Sequence, residues 1–340
     1  MQARPVLTGI LSALLFLQGC ATVESVTFEH GVASEKKPWT HESFDAGDDR
    51  FMFAVFSDLY SGEREGVFAV AMAQLQLLRP EIILSVGDLI NGGTEDRAQL
   101  RRDWDGFDAK VAGMKAPVFH VGGNHDLTNP VMREFWEDRY GARYYYFVYK
   151  NVLFLMLDSE DYEEQRMWEI YKARAIALPI FDNEPEKLPE TDYFKMPERQ
   201  TGAISVEQAT YFRQVIAEHP DVRWTFLLMH KPVWRNANAA EFQSIESALV
   251  DRPYTVINGH FHSYSLTSRN GRDYIHLGTT SGGQDASDPM AFDHVTLVTM
   301  TSEGPSVANL RLEGILDKTG HVPLNGDDLC YQAFACATKD

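Results

Sequence analysis

The stretch AVFSDLYSGE, residues 54–63, closes an apolar run that begins at Phe51 and stops on an acid, Asp58, with Tyr60 two positions later. A short apolar run bounded by turn residues reads as a strand sheltered on both faces. What a carboxylate placed at the end of such a strand holds is answered by the other strands. Further runs of the same kind follow: EIILSVG, PVFHVGG, RYYYFVYK with NVLFLMLD, RWTFLLMH and PYTVING. Helical patterns alternate with them. Phe68, Met72, Leu75 and Leu78 recur at helical spacing after Glu65. The stretch SVEQATYFRQVIAEHP sets Ser205 and Gln208 at capping-box spacing, turns Ala209, Phe212 and Ile216 inward and stops before Pro220. The alternation predicts an α/β core. Turn chemistry predicts hairpins at Lys150-Asn151 and at Asn270-Gly271, and with them a second sheet.

The segment 160–200 breaks this alternation. It is rich in acids, proline and aromatics, with a weak helical stretch around Met167 to Ala177. It reads as a lid or partner surface, or as a surface insertion without catalytic duty.

The strands share one property: each ends in a residue able to ligate a metal. EIILSVG runs into Gly87-Asp88, PVFHVGG into Asn124-His125-Asp126, RWTFLLM into His230, and PYTVIN into Gly259-His260-Phe261-His262. Strand carboxyl ends line the crevice of open α/β sheets, so residues distant in sequence converge there. Oxygen and imidazole donors without thiolate favour Mn, Fe or Zn over copper(I). The set exceeds what one tetrahedral ion takes, and two ions sharing a carboxylate are the economical reading. Two ions about 3.5 to 4 Å apart suit phosphoester hydrolysis. A lone Asp after a strand is commonly a turn or cap residue, and His120, His276 and His294 read as ordinary core histidines.

In that ordered series the chain resembles the calcineurin-like metallophosphoesterase superfamily, whose blocks are D-x-H, G-D, G-N-H-D/E, a strand-terminal H, and G-H-x-H. The match runs from about Phe51 to Leu312. The resemblance implies two mixed β-sheets packed face to face and flanked by helices, a four-layer α/β/β/α arrangement. It implies that Asp58 and His262 hold a first metal, that Asp88 bridges, and that Asn124, His230 and His260 hold a second. A metal-bridging hydroxide is then the nucleophile, and His125 the acid that protonates the leaving oxygen. The cofactor is expected to be two divalent or mixed-valence ions.

The departure lies in the opening stretch, where Tyr60 stands in place of the family's first-block His. Three readings are open. Tyr60 leaves the first metal under-coordinated, with water filling the gap; it ligates as a phenolate, as a ferric ion would favour; or the site is degenerate. Purple acid phosphatases of the same superfamily use a ferric tyrosinate, from a different motif position. Six other ligand positions and His125 are present, which weighs against decay.

Composition sets the surroundings. The chain has 340 residues, 44% hydrophobic and 24% charged, an ordinary globular make-up. Its formal charge of −18 argues against extended nucleic-acid binding. Arg4, the apolar stretch Val6 to Leu17 and then Gln18-Gly19-Cys20 read as a targeting segment. The ending Leu17-Gln18-Gly19-Cys20 resembles the cleavage box of bacterial lipoproteins, in which the cysteine becomes the lipidated first residue. The expected organisation is a signal peptide at 1–19, a lipid-anchored tether at 20–50, the catalytic domain at 51–312 and a tail at 313–340 with a Cys330–Cys336 disulfide. The protein is expected in the cell envelope, attached to a membrane through Cys20 and facing the periplasm or the exterior. A phosphomonoester or phosphodiester is the expected substrate. The alternative is a catalytically degenerate surface lipoprotein that binds metal or a partner. A serine hydrolase has no G-x-S-x-G elbow to support it, since GTTSGG at 278–283 misses the spacing.

Overall fold

The apolar runs fold into two sheets in the computed structural model, which describes residues 28–44, 50–60 and 62–337. The larger sheet joins β1 (Phe28–His30), β5 (Tyr145–Tyr149), β6 (Val152–Met156), β7 (Trp224–Met229), β8 (Tyr254–Asn258), β9 (Ser265–Arg269) and β10 (Arg272–His276), in the order β1-β5-β6-β7-β8-β10-β9. The smaller joins β2 (Phe51–Phe56), β3 (Ile82–Ser85), β4 (Val118–Phe119), β11 (His294–Thr301) and β12 (Gly304–Arg311), in the order β12-β11-β2-β3-β4. Strands β2, β3 and β4 run parallel, as do β6, β7, β8 and β10. The carboxyl ends of the two parallel groups meet at one rim.

The sheets pack face to face through aromatic rings. Phe53 of β2 meets Phe154 and Phe226 edge-on, with centroids 5.2 and 4.9 Å apart. Helices α1 (Val67–Leu78), α2 (Arg97–Val111) and α3 (Pro130–Tyr140) cover the outer face of the smaller sheet with Phe68, Trp104 and Trp136. The 160–200 segment folds as α4 (Glu164–Asn183), a 3₁₀ turn (Pro185–Glu190), α5 (Asp192–Lys195) and α6 (Glu198–Thr201). Beyond it, α7 (Val206–Glu218) and α8 (Ala240–Ala248) cover the larger sheet with Phe212 and Phe242. The expected four layers are therefore present. Asn129 caps α3 through Met132 N, and Pro130 supplies its fixed φ at the first turn. Ser205 caps α7 through Gln208 N, but Gln208 does not close the box. Its buried amide instead holds the strand end, accepting from Asp158 N and donating to Asp158 O.

Three expectations change. Both predicted hairpins form, with Lys150, Asn151, Asn270 and Gly271 at positive φ, yet both lie in the larger sheet. The smaller sheet is completed instead by β11 and β12. The tether reading fails from residue 28 onward: β1 pairs with β5, and Trp39 is buried against Phe119 and Tyr145. The tail is also part of the body, because Val322 and Tyr331 sit in the core under α1 and precede the short α9 (Ala333–Ala337). There Cys330 and Cys336 form a disulfide. The leader and Cys20 lie outside the described residues.

Candidate metal centre

The rim gathers what the strands end in. Ligand atoms of Asp88, His230 and His260 lie within 4.8 Å of one another, and so do those of Asp58, Asp88 and His262. Asp88 belongs to both groups. The Asn124 Oδ1 lies 3.2 Å from His230 Nε2, which adds a fourth donor to the first of them. Asp58, Asp88, His260 and His262 all take left-handed backbone conformations, with φ of 52°, 56°, 89° and 58°. Such conformations cost non-glycine residues about 1 kcal/mol or more each and persist where the surroundings impose them.

Each imidazole is held by a backbone carbonyl. His230 donates from Nδ1 to Val86 O at 2.9 Å, His262 from Nδ1 to Gly283 O, and His260 from Nε2 to Arg199 O at 2.7 Å. The other nitrogen of each is left for the rim, where His230 Nε2 lies 3.2 Å from Asp88 Oδ2 and His262 Nε2 3.2 Å from Asp58 Oδ1, and ligation needs only the loss of the proton held there. The donor set fits transition-metal ions on that chemistry. Glycine gives the loops their closeness. A Cβ on Gly87, at φ 96°, would stand 2.7 Å from Gly123 N, and one on Gly259 would collide with Ser57 Oγ and Asp58 Oδ2.

This geometry coincides with a match of the calcineurin-like phosphoesterase family over residues 51–264, more than half of the chain. The chain belongs to that family. No curated protein matches it. Among solved structures it is similar to a dimetal phosphatase from Danio rerio, at 17% identity and a TM-score of 0.52, covering 77% of this chain and 98% of that one. It is also similar to GAP50, the anchor in the inner membrane complex of Plasmodium (12% identity, TM-score 0.47, 81% and 87% covered). A third is the purple acid phosphatase PPD1 from yellow lupin (Lupinus luteus) seeds (12%, TM-score 0.48, 76% and 53% covered).

In this calcineurin-like phosphoesterase the charges at the rim are mutually supporting. Burial disfavours the Asp88 carboxylate, but His230 and His125 outweigh it and hold the group well below its usual range. Burial likewise opposes the His230 cation, and Asp88 and Asp58 reverse this and raise it to about 9. Asp126, which the sequence offered no role, is wholly buried and accepts from Leu89 N, Ile90 N and Gly123 N, so it ties two rim loops together. Burial and then Asp88 raise it to about 8.

Tyr60 finds its partners in Glu63, Lys110 and the core. Its ring packs against the core under the helices, with Lys110 Nζ 5.6 Å from its centroid. Burial, then Glu63, push the phenol upward, away from the phenolate that ligation needs. The left-handed turn at Asp58 and the hydrogen bond from Leu59 N to Asp88 O carry the chain away before Tyr60.

His125 stands beside the donors. Its backbone N–H donates to Asp88 Oδ1 and its Nδ1 to Asn91 O, both at 2.8 Å, which leaves Nε2 as an acceptor. That nitrogen lies 3.4 Å from Nη2 of Arg174, on α4. Burial lowers the imidazole's pKa, Asp88 opposes this, and Arg174 lowers it further. Arg174 and the Arg199 carbonyl both come from the 160–200 segment, whose sequence held no recognisable signal for either. His120 and His294 are core residues as read. His276 is buried too, and its Nε2 accepts from Phe261 N, bracing the loop between two of the candidate ligands.

Proposed function

We propose that this chain is a metal-dependent hydrolase of phosphomonoesters or phosphodiesters. The observation that carries this reading is the pair of donor groups sharing Asp88, with every imidazole oriented by a backbone carbonyl. Asp58 and His262 would hold one ion, Asn124, His230 and His260 the other, and Asp88 would serve both. Two divalent or mixed-valence ions of Mn, Fe or Zn, once bound, supply an activated water and positive charge against the phosphoryl oxygens.

The protein's own groups do the rest. His125 would pass a proton to the leaving oxygen from Nε2, its Nδ1 proton being committed to Asn91 O, once Nε2, the acceptor from Arg174 in this structure, has taken up a proton from solvent. Asp126 keeps the loops of Asp88 and His125 in register. Attachment to a membrane of the cell envelope through lipidated Cys20 is part of the same proposal. The Leu17-Gln18-Gly19-Cys20 box and the Cys330–Cys336 disulfide support it. No helix among the described residues is long and apolar enough to cross a membrane.

The test is elemental analysis of protein beginning after Cys20, purified without chelator, followed by a phosphomonoester and phosphodiester panel. Roughly two transition-metal ions per chain with turnover is the expected result. No ion after reconstitution would leave the metal-free partner-binding reading in its place. Mass spectrometry of protein extracted from membranes, read for an acylated Cys20, tests the anchor.

A further inference from the structure

Helix α4 buries a stripe at helical spacing: Met167, Ile170, Arg174 and Ala177. Three of these are apolar, and a guanidinium occupies the place of the remaining one. Arg174 is 8% exposed. Other cations around the rim are neutralised: Lys231 by Glu160, Arg143 by Asp158 and Asp161, and Arg64 by Asp293. Among the described residues Arg174 has no carboxylate partner, and its hydrogen bond goes to His125 Nε2. An unpaired buried charge is costly, so a site that keeps one is a site prepared for an opposite charge.

We propose that Arg174 binds the phosphoryl dianion of the substrate, and that the site thereby selects phosphomonoesters over phosphodiesters. This rests on the hydrolase reading and extends it to a substrate class. Two observations point to the dianion. The guanidinium adds an uncompensated positive charge beside the donor groups, which favours two negative charges over one. The space beside it is narrow: a cavity of about 10 Å³, lined by Asn124, Thr128, Glu160, Tyr162, Arg174 and Lys231 among others, has room for one water and none for a second ester substituent. The terminal phosphoryl oxygens therefore abut Arg174, and the esterified oxygen faces the open side. When Arg174 turns from His125 to the phosphoryl group, Nε2 of His125 is free to take from solvent the proton that it then gives to the leaving oxygen. One residue of the insertion thus couples substrate binding to exposure of the acid.

The experiment compares wild type with Arg174→Met and Arg174→Lys. All three are loaded to matched metal content and checked for unchanged melting temperature. Calorimetric titration with inorganic phosphate is read beside kcat/KM for an aryl phosphomonoester and a phosphodiester with the same leaving group. Arg174→Met is expected to weaken phosphate binding and monoester kcat/KM by roughly 10- to 100-fold, the range of one charge-assisted hydrogen bond, with diester turnover nearly unchanged and Arg174→Lys in between. Undiminished phosphate binding in Arg174→Met, or equal losses on both esters, would overturn the assignment and leave the hydrolase reading standing. Metal-loaded wild type that neither binds phosphate nor turns over either ester would overturn both.

Discussion

Tyr60 shows how far a single position can be read. The motif spacing places it where a ligand is expected, but the side chain is claimed by Glu63, Lys110 and the core beneath them. Replacement Tyr60→Phe keeps the ring and removes only the hydroxyl. Metal content and visible absorption should then match wild type, with a stability change of about 1 kcal/mol or less. Loss of an ion per chain would show that the phenol ligates. At His125, His125→Ala should spare the metals and slow turnover by roughly 10²- to 10⁴-fold, most for poor leaving groups. Uniform slowing across leaving groups would count against its acid role. Asp58, Asp88, Asn124, His125, His230, His260 and His262 were legible because each follows directly on an apolar strand, where chain direction fixes position. Arg174 was not, because nothing in one arginine of a weakly patterned helix that also carries Arg166 and Lys172 says which of them faces the rim.

The elements divide along the same line. Strands buried on both faces announced themselves as apolar runs, and both hairpins followed from their turn residues. Strand β11 was hidden by His294, Thr296, Thr299 and Thr301, since a half-polar run reads as loop until β2 is known to lie beside it. Strand β1 was hidden likewise in a polar stretch, its fate decided by the free edge of β5. The rim loops depend on glycine closeness, which gives a direct check. Gly259→Ala pushes a methyl group into Ser57 Oγ and Asp58 Oδ2, so Asp58 must retreat from His262. Affinity for the ion at that group should fall by roughly 10- to 100-fold while the fold persists, measured by competition against a chelator with circular dichroism as control. Unaltered affinity would mean the loop absorbs the methyl group.

The whole molecule carries buried histidines whose protonation opposes folding. His120 lies among Phe107, Trp136 and Tyr140 with neither ring nitrogen hydrogen-bonded; burial lowers it to about 4, against a small opposing pull from Asp108. Burial also lowers His294 to about 4. For a histidine lowered in the folded state, the unfolded chain binds the extra proton. Its contribution is therefore fully present above the unfolded value of about 6.5 and is lost as pH falls toward the folded value near 4. The gap at His120 corresponds to about 3 kcal/mol. Urea midpoints should fall as pH drops from 6.5 toward 4, and His120→Leu should soften that decline. An identical acid limb in the variant would refute the assignment. On this scale the sequence revealed the layers and the rim but not the packed segments 28–44 and 313–337, whose core residues are scattered among polar ones.

The late segments have a bearing on how the protein acquires its ions. The Asp58 carbonyl accepts from Thr280 and Gly282, and Arg64 reaches both Gly282 O and Cys330 O. The acid nearest the start of the domain is thus seated by segments made more than two hundred residues later. A nascent chain emerging amino end first carries Asp58 without its cradle, and His262 arrives late as well. Loading of that donor group must await synthesis of the segment 262–282. Which ion wins is then settled by the solution bathing the folded domain.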